Sequence, residues 1–358
     1  NDGGTNDGGE GGAGTMYVAT LGGDQEVPPV TTTATGAATI TLDTTRTKIT
    51  HHLTHNVMQQ TSAHIHLGYG AESGSVAFPL TTGQDVMGTI TITTADADNL
   101  DKGAWYINVH SSTNANGEIR GQVLKPGETI WVANLTGAQE NPPVTTSGTG
   151  SAAIILASGG GSIKYHLKTS LTPTAAHIHT AVGGQNGAVT IPFMNATTMT
   201  VDGSATVTSA QATDLQEGRW YVNVHTATNA NGEIRGQVTK AGEALYVCSM
   251  AGANEIPPVV GGGSGSVQFL LNYAKNSTRY EGVFTGLTGT PTAAHIHTGN
   301  SVTNGSVLYP LTLVTGGVKG TQAVTSGDVA NMDASGLYCN VHTAANPGGE
   351  ARGQITKK

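Results

Sequence analysis

Apolar and polar residues alternate with a period of two along most of the chain. In TGAATITLDTT (35–45), Ala38, Ile40 and Leu42 share one face. In WYINVH (105–110), Ile107 and Val109 share a face while Tyr106, Asn108 and His110 share the other. Thr, Val, Ile and Tyr fill these runs and Gly, Asn and Pro punctuate them, which predicts half-buried strands joined by turns. The double prolines at 28–29, 142–143 and 257–258 cannot sit in a central ladder and mark strand ends or edges. Only TTADADNL (93–100), TSAQATDL (208–215) and TSGDVANM (325–332) read as helix, each opening on a Thr or Ser able to act as N-cap. The fold class is all-β.

The pattern occurs three times. GDQEVPPV (23–30), GAQENPPV (137–144) and GANEIPPV (252–259) open each copy, and SAHIH (62–66), TAAHIH (174–179) and TAAHIH (292–297) mark its centre. WYINVHSSTNANGEIRGQV (105–123), WYVNVHTATNANGEIRGQV (220–238) and LYCNVHTAANPGGEARGQI (337–355) close it. The spacing from His64 to His177 to His295 is too long for a solenoid and means tandem domains. The division is a Gly-rich tether at 1–14 and domains at 15–125, 126–240 and 241–358. Each domain is expected to be a Greek-key β-sandwich or barrel. The joints LKPGE (124–128) and TKAGE (239–243) are short, which predicts a stiff row whose first and third units make any contacts between molecules.

The E-x-PP-V opening, the H-I-H centre and the Y-x-N-V-H…GE-x-RGQ ending resemble the CHRD domain, named after chordin and common in bacterial secreted proteins. The resemblance covers residues 15–358. It implies a barrel similar to that of copper–zinc superoxide dismutase, in which H-x-H on one strand and a later V-H supply copper ligands.

Composition narrows the function classes. Of 358 residues, 51 are Gly, 24 are acidic and 16 basic, with no Lys/Arg cluster, which argues against nucleic acid. No apolar run reaches the roughly 18 residues of a transmembrane helix. There is no P-loop, dinucleotide fingerprint or haem motif. The run NDGGTNDGGEGGAG reads as a tether after a secretory cleavage site or after an acylated Cys, a lipid anchor upstream of residue 1. Either places the protein outside the cell or at its surface, with the periplasm as the alternative. Asn134, Asn195, Asn276 and Asn304 lie in glycosylation sequons.

Nine of 13 histidines form three equivalent triplets: His64, His66 and His110; His177, His179 and His225; His295, His297 and His342. Residues i and i+2 of a strand point to one side, so His64 and His66 face together, and His110 lies opposite the core pair Ile107 and Val109. If the two strands are neighbours, three neutral imidazoles converge on the outer surface, a set suited to one copper ion per domain, with zinc as the alternative. Between the second and third His of each triplet there is no other His, so the bridging and zinc ligands of a dismutase are missing. The unshared His51, His52, His55 and His166 are expected to be solvated strand residues.

No nucleophile and base recur, and no catalytic residue is assigned. Glu26, Glu140 and Glu255 are expected to bond to amides around the proline turn. Arg120, Arg235 and Arg352 could draw an anion toward a metal, but pairing along the strand, as Glu118 with Arg120, is the simpler role. Cys248 and Cys339 substitute core positions of one domain, which predicts a disulfide. The leading reading is a structural or binding protein of tandem metal-bearing domains, with a homopolymer, filament or extracellular matrix as its expected assembly; the rival is a redox-active copper enzyme acting on superoxide or a related small oxidant.

Overall fold

The computed structural model describes residues 14–358, so all but the last residue of the tether at 1–14 lies outside the described residues. The first barrel contains β1 (Thr15–Gly22), β2 (Thr35–Leu42), β3 (Lys48–His55), β4 (Gln60–Leu67), β5 (Ser75–Leu80), β6 (Asp85–Thr91), α1 (Thr94–Lys102), β7 (Trp105–Ser111) and β8 (Ile119–Gln122). The strands pair in the order β5-β4-β7-β8-β1-β2-β3-β6. The chain thus crosses from β3 to pair with β6 and from β4 to pair with β7, a Greek-key path. The sheet curls until only β5 and β6, joined by residues 81–84, remain unpaired with each other. The same order recurs in the second domain, and in the third with one added two-residue strand, Leu313–Val314.

Alternation places one set of side chains inside each barrel. In the first, Tyr17, Leu21, Ile40, Ile49, Ile65 and Trp105 are each no more than 1% exposed. The three helices begin where the chain predicts. Thr93, Thr208 and Thr325 accept from the amides of Asp96, Gln211 and Asp328, whose side chains bond back in full capping boxes.

The repeated RGQ glycine has a physical reason. β8 crosses so close to β1 that a Cβ on Gly121 would lie 2.5 Å from Thr20 O, and Gly236 and Gly353 meet Asn134 O and Ser249 O in the same way. Ladder bonds lapse there, and the Gln25 amide spans the gap by accepting from Gln122 N at 3.1 Å and donating to Thr20 O at 2.7 Å.

Two expectations about individual residues fail. His51, His55 and His166 are buried, not solvated, at 8%, 8% and 6% exposure. His51 falls in phase with Ile49 and Leu53 inside the barrel, where the other domains carry Tyr165 and Tyr280. His166 bonds Asp202 at 2.7 Å; His52 is half-buried and pairs with Asp85. The Cys248–Cys339 disulfide is not formed. Both are free, buried thiols, with Cys248 Sγ donating to Gly353 O at 3.0 Å. Burial and the neighbouring Cys248 push the Cys339 thiol up. The strand Ala351–Lys357 lies between the two that carry them. In a flat sheet that separation is roughly 9.5 Å, against about 4.4–6.8 Å for bridged Cα atoms.

Candidate metal centre

β4 and β7 are neighbours, with His64 opposite Asn108, Ile65 opposite Ile107 and His66 opposite Tyr106. The pleat sends Ile65 and Ile107 inward and gathers His64, His66, Asn108 and His110 on the outer face. The structure brings together all nine histidines predicted from the triplets. In each domain the three donor atoms lie within 4.8 Å of one another. His64 Nδ1 is 3.2 Å from His110 Nε2, and the equivalent pairs His177–His225 and His295–His342 are both at 3.1 Å. Two nitrogens about 2.0–2.1 Å from one ion, at right-angle to tetrahedral geometry, stand roughly 2.9–3.4 Å apart. The observed pairs therefore have the spacing of ligands to a shared ion.

Surrounding groups orient the rings. His66 Nδ1 donates to Gly74 O and His110 Nδ1 to Ala115 O, both at 3.0 Å, which leaves each Nε2 as a lone pair. Tyr106 stacks on His66 with centroids 4.8 Å apart, and the Arg120 guanidinium covers its other face at 3.4 Å. Arg120 also donates to Glu72 O and Tyr69 O, tying down the loop that presents Gly74. Burial lowers the pKa of His64, His66, His177, His179, His295 and His297, favouring the neutral, ligating imidazole.

A fourth group was not anticipated from the sequence. Asn108 Nδ2 donates to both oxygens of Glu26 at 3.1 Å, leaving Asn108 Oδ1 buried with no partner. His66 Nε2 is likewise a buried orphan, as are His179 Nε2 and Asn223 Oδ1. In the third domain the corresponding atoms, His297 Nε2 and Asn340 Oδ1, face each other at 3.0 Å. Because His297 Nδ1 already donates to Gly305 O, two lone pairs meet there. A proton or a metal ion between them satisfies both, so this donor set fits a cation. The available signal was the Asn in Y-x-N-V-H, which shares a strand face with the metal-facing His.

Two further expectations are corrected. Glu26 and Glu140 bond the Asn side chain of the closing strand instead of amides of the proline turn, whereas Glu255 bonds both Asn340 and the Ile256 amide. Arg120 does not pair with Glu118, whose carboxylate accepts from Thr32 at 2.8 Å. At 2% exposure, Arg120 positions the loop and ring from below and does not front solvent.

Burial pushes the Glu26 carboxyl up to about 7, with Arg120 and Asn108 opposing. A raised folded-state pKa means that its stabilising contribution is complete below about 4.5 and is lost as pH rises through about 7. In metal-free protein, Glu26→Gln should therefore gain about 1–3 kcal/mol on the wild type between pH 4.5 and 8. Urea midpoints of both proteins across that range check this; a constant difference would contradict it.

The CHRD domain model matches residues 17–123, 131–238 and 246–355, and the chain belongs to this family as three tandem copies. No curated protein and no solved structure matches the chain.

Proposed function

We propose that this is an extracellular structural protein whose three domains each hold one copper ion, with zinc as the alternative, and which assembles into a homopolymer or matrix. The observation that carries the metal reading is the threefold recurrence of the same donors. Each site offers His Nδ1 beside His Nε2 at 3.1–3.2 Å, together with a third imidazole and an Asn oxygen. His64, His66 and His110 would hold the ion in the first domain, with Asn108 Oδ1 completing the set. The bound ion would supply a fixed positive charge and a Lewis-acid centre. Around it, Gly74 O, Ala115 O and Glu26 hold the ligand atoms in place.

The extracellular placement rests on the family. No helix of the described residues is long and apolar enough to cross a membrane. The assembly reading rests on three like barrels in one chain, because repeated domains offer repeated surfaces.

Copper(II) titration followed by elemental analysis and electron paramagnetic resonance tests the metal reading. Three ions per chain with nitrogen couplings are expected; none retained after desalting would overturn it. Asn108→Ala should weaken one of the three sites about 10- to 100-fold. Competition titration reads this change, and unaltered affinity at all three sites would exclude Asn108 from the set.

A further inference from the structure

Domains two and three meet end against face. Loop 181–186 and the helix end 216–219 of the second press on the outer face of the third barrel's first three strands. Gly183 N donates to Gln268 Oε1 at 2.7 Å, and Ser266 Oγ donates to Gly183 O at 2.6 Å. Arg219 makes two bonds to Glu281, at 2.7 and 3.0 Å. Leu245, Val247 and Leu270 form a buried cluster. A Cβ on Gly184, which has φ +82°, would lie 2.6 Å from Ser266 Oγ and 2.7 Å from Val247 Cγ1, so only glycine permits this approach. The third barrel leaves a cavity of about 60 Å³ between Glu140, Arg235, Leu245 and Val247.

Each half of this joint has an uncovered equivalent in the chain. The third domain's loop 299–304 corresponds to 181–186, with Ser301 and Val302 where the joint has Gly183 and Gly184. Val302 is 74% exposed, beside an open groove of about 500 Å³ lined by Glu255, Ile256, Pro258, Arg352 and Gln354. Glu255 and Arg352 stand where Glu140 and Arg235 line the small cavity at the joint. On the first barrel, Met16, Val18, Ala37 and Thr39 correspond to Leu245, Val247, Ser266 and Gln268. Met16 is 49% exposed where Leu245 is 9%.

The side-chain sizes exchange across the two cases. Inside the chain, a Gly-Gly loop meets Ser266 and Gln268. At the open ends, a bulkier Ser-Val loop is matched by the smaller Ala37 and Thr39.

We infer that the open end of the third domain docks on the outer β1–β2 face of the first domain of a second copy. This names the surfaces for the assembly proposed above and rests on that reading. The contact joins two different patches, so each added copy leaves one end and one face open, and repetition extends the assembly one chain at a time. Inside the chain the joint is favoured by the effective concentration that the short TKAGE joint (239–243) imposes. Between chains, growth should therefore rise with protein concentration.

Thr39→Arg blocks the face and Val302→Arg blocks the end; both side chains are exposed, so neither change disturbs a core. Sedimentation velocity of full-length protein should show wild type growing in steps of one chain mass, and each variant alone as a monomer. An equimolar mixture should form dimers and nothing longer, because one intact face meets one intact end. Variants that assemble like wild type, or a mixture that stays monomeric while wild type grows, would overturn this pairing of surfaces and leave assembly itself standing. A wild type that is monomeric at every concentration would remove both. Copper stoichiometry in the same samples should be equal throughout.

Discussion

Replacing His64 and His66 together with alanine should lower copper binding from three ions per chain to two. The pair supplies two of the first domain's three imidazoles, from alternate positions of β4. With only the His110 imidazole and the weakly donating Asn108 Oδ1 left, the chelate is gone, and this pair does not hold an ion against buffer. The other two domains carry their own complete sets, so their affinities should not change. Elemental analysis after desalting reads the stoichiometry. A urea titration of the same variant separates lost ligands from lost fold, because His66 also stacks on Tyr106. Three ions retained by a folded variant would refute the site, and failure of all three sites would refute their independence.

Trp105→Ala should destabilise the first domain by about 3–5 kcal/mol, a large share of the roughly 5–15 kcal/mol that holds an ordinary domain together. Trp105 is 0% exposed, lies inside the barrel at the start of β7, and meets Phe78 edge-on with centroids 5.4 Å apart. Truncation to Ala removes the ring and leaves a void that curled strands cannot easily close. Trp105→Leu should cost distinctly less, because the third domain is built with Leu337 at this place, itself 2% exposed. Hydrogen exchange along β4 and β7 in the full chain reads the loss locally. Equal protection in the Ala variant and wild type would contradict the packing argument.

Much of this architecture is legible in the chain because its information is local and repeated. Ile65 between His64 and His66, and Asn108 between Ile107 and Val109, follow from the period of two alone. Thr93, Thr208 and Thr325 act as caps because an N-cap needs only its own helix's first turn. His51 shows where local reading stops. Its neighbours read as a strand, but which face of that strand is interior depends on the partners of β3. The position proved to be one where the other barrels bury tyrosine. Glu26 shows the same limit, since its partner Asn108 is 82 residues away.

By itself the sequence determined the all-β class, the three copies, the helix starts and the histidines that share a face. Each of these depends on residue type at short spacing, which the backbone geometry of strands and turns converts directly into direction. Only the tertiary structure decided that β4 lies against β7, that Glu26 accepts from Asn108 on the histidine-bearing face, and that an intervening strand keeps Cys248 and Cys339 unbridged. The reason is that strand order and loop closure bring together groups far apart in the chain. Their distances and unpaired lone pairs arise from that packing, and no local pattern encodes them.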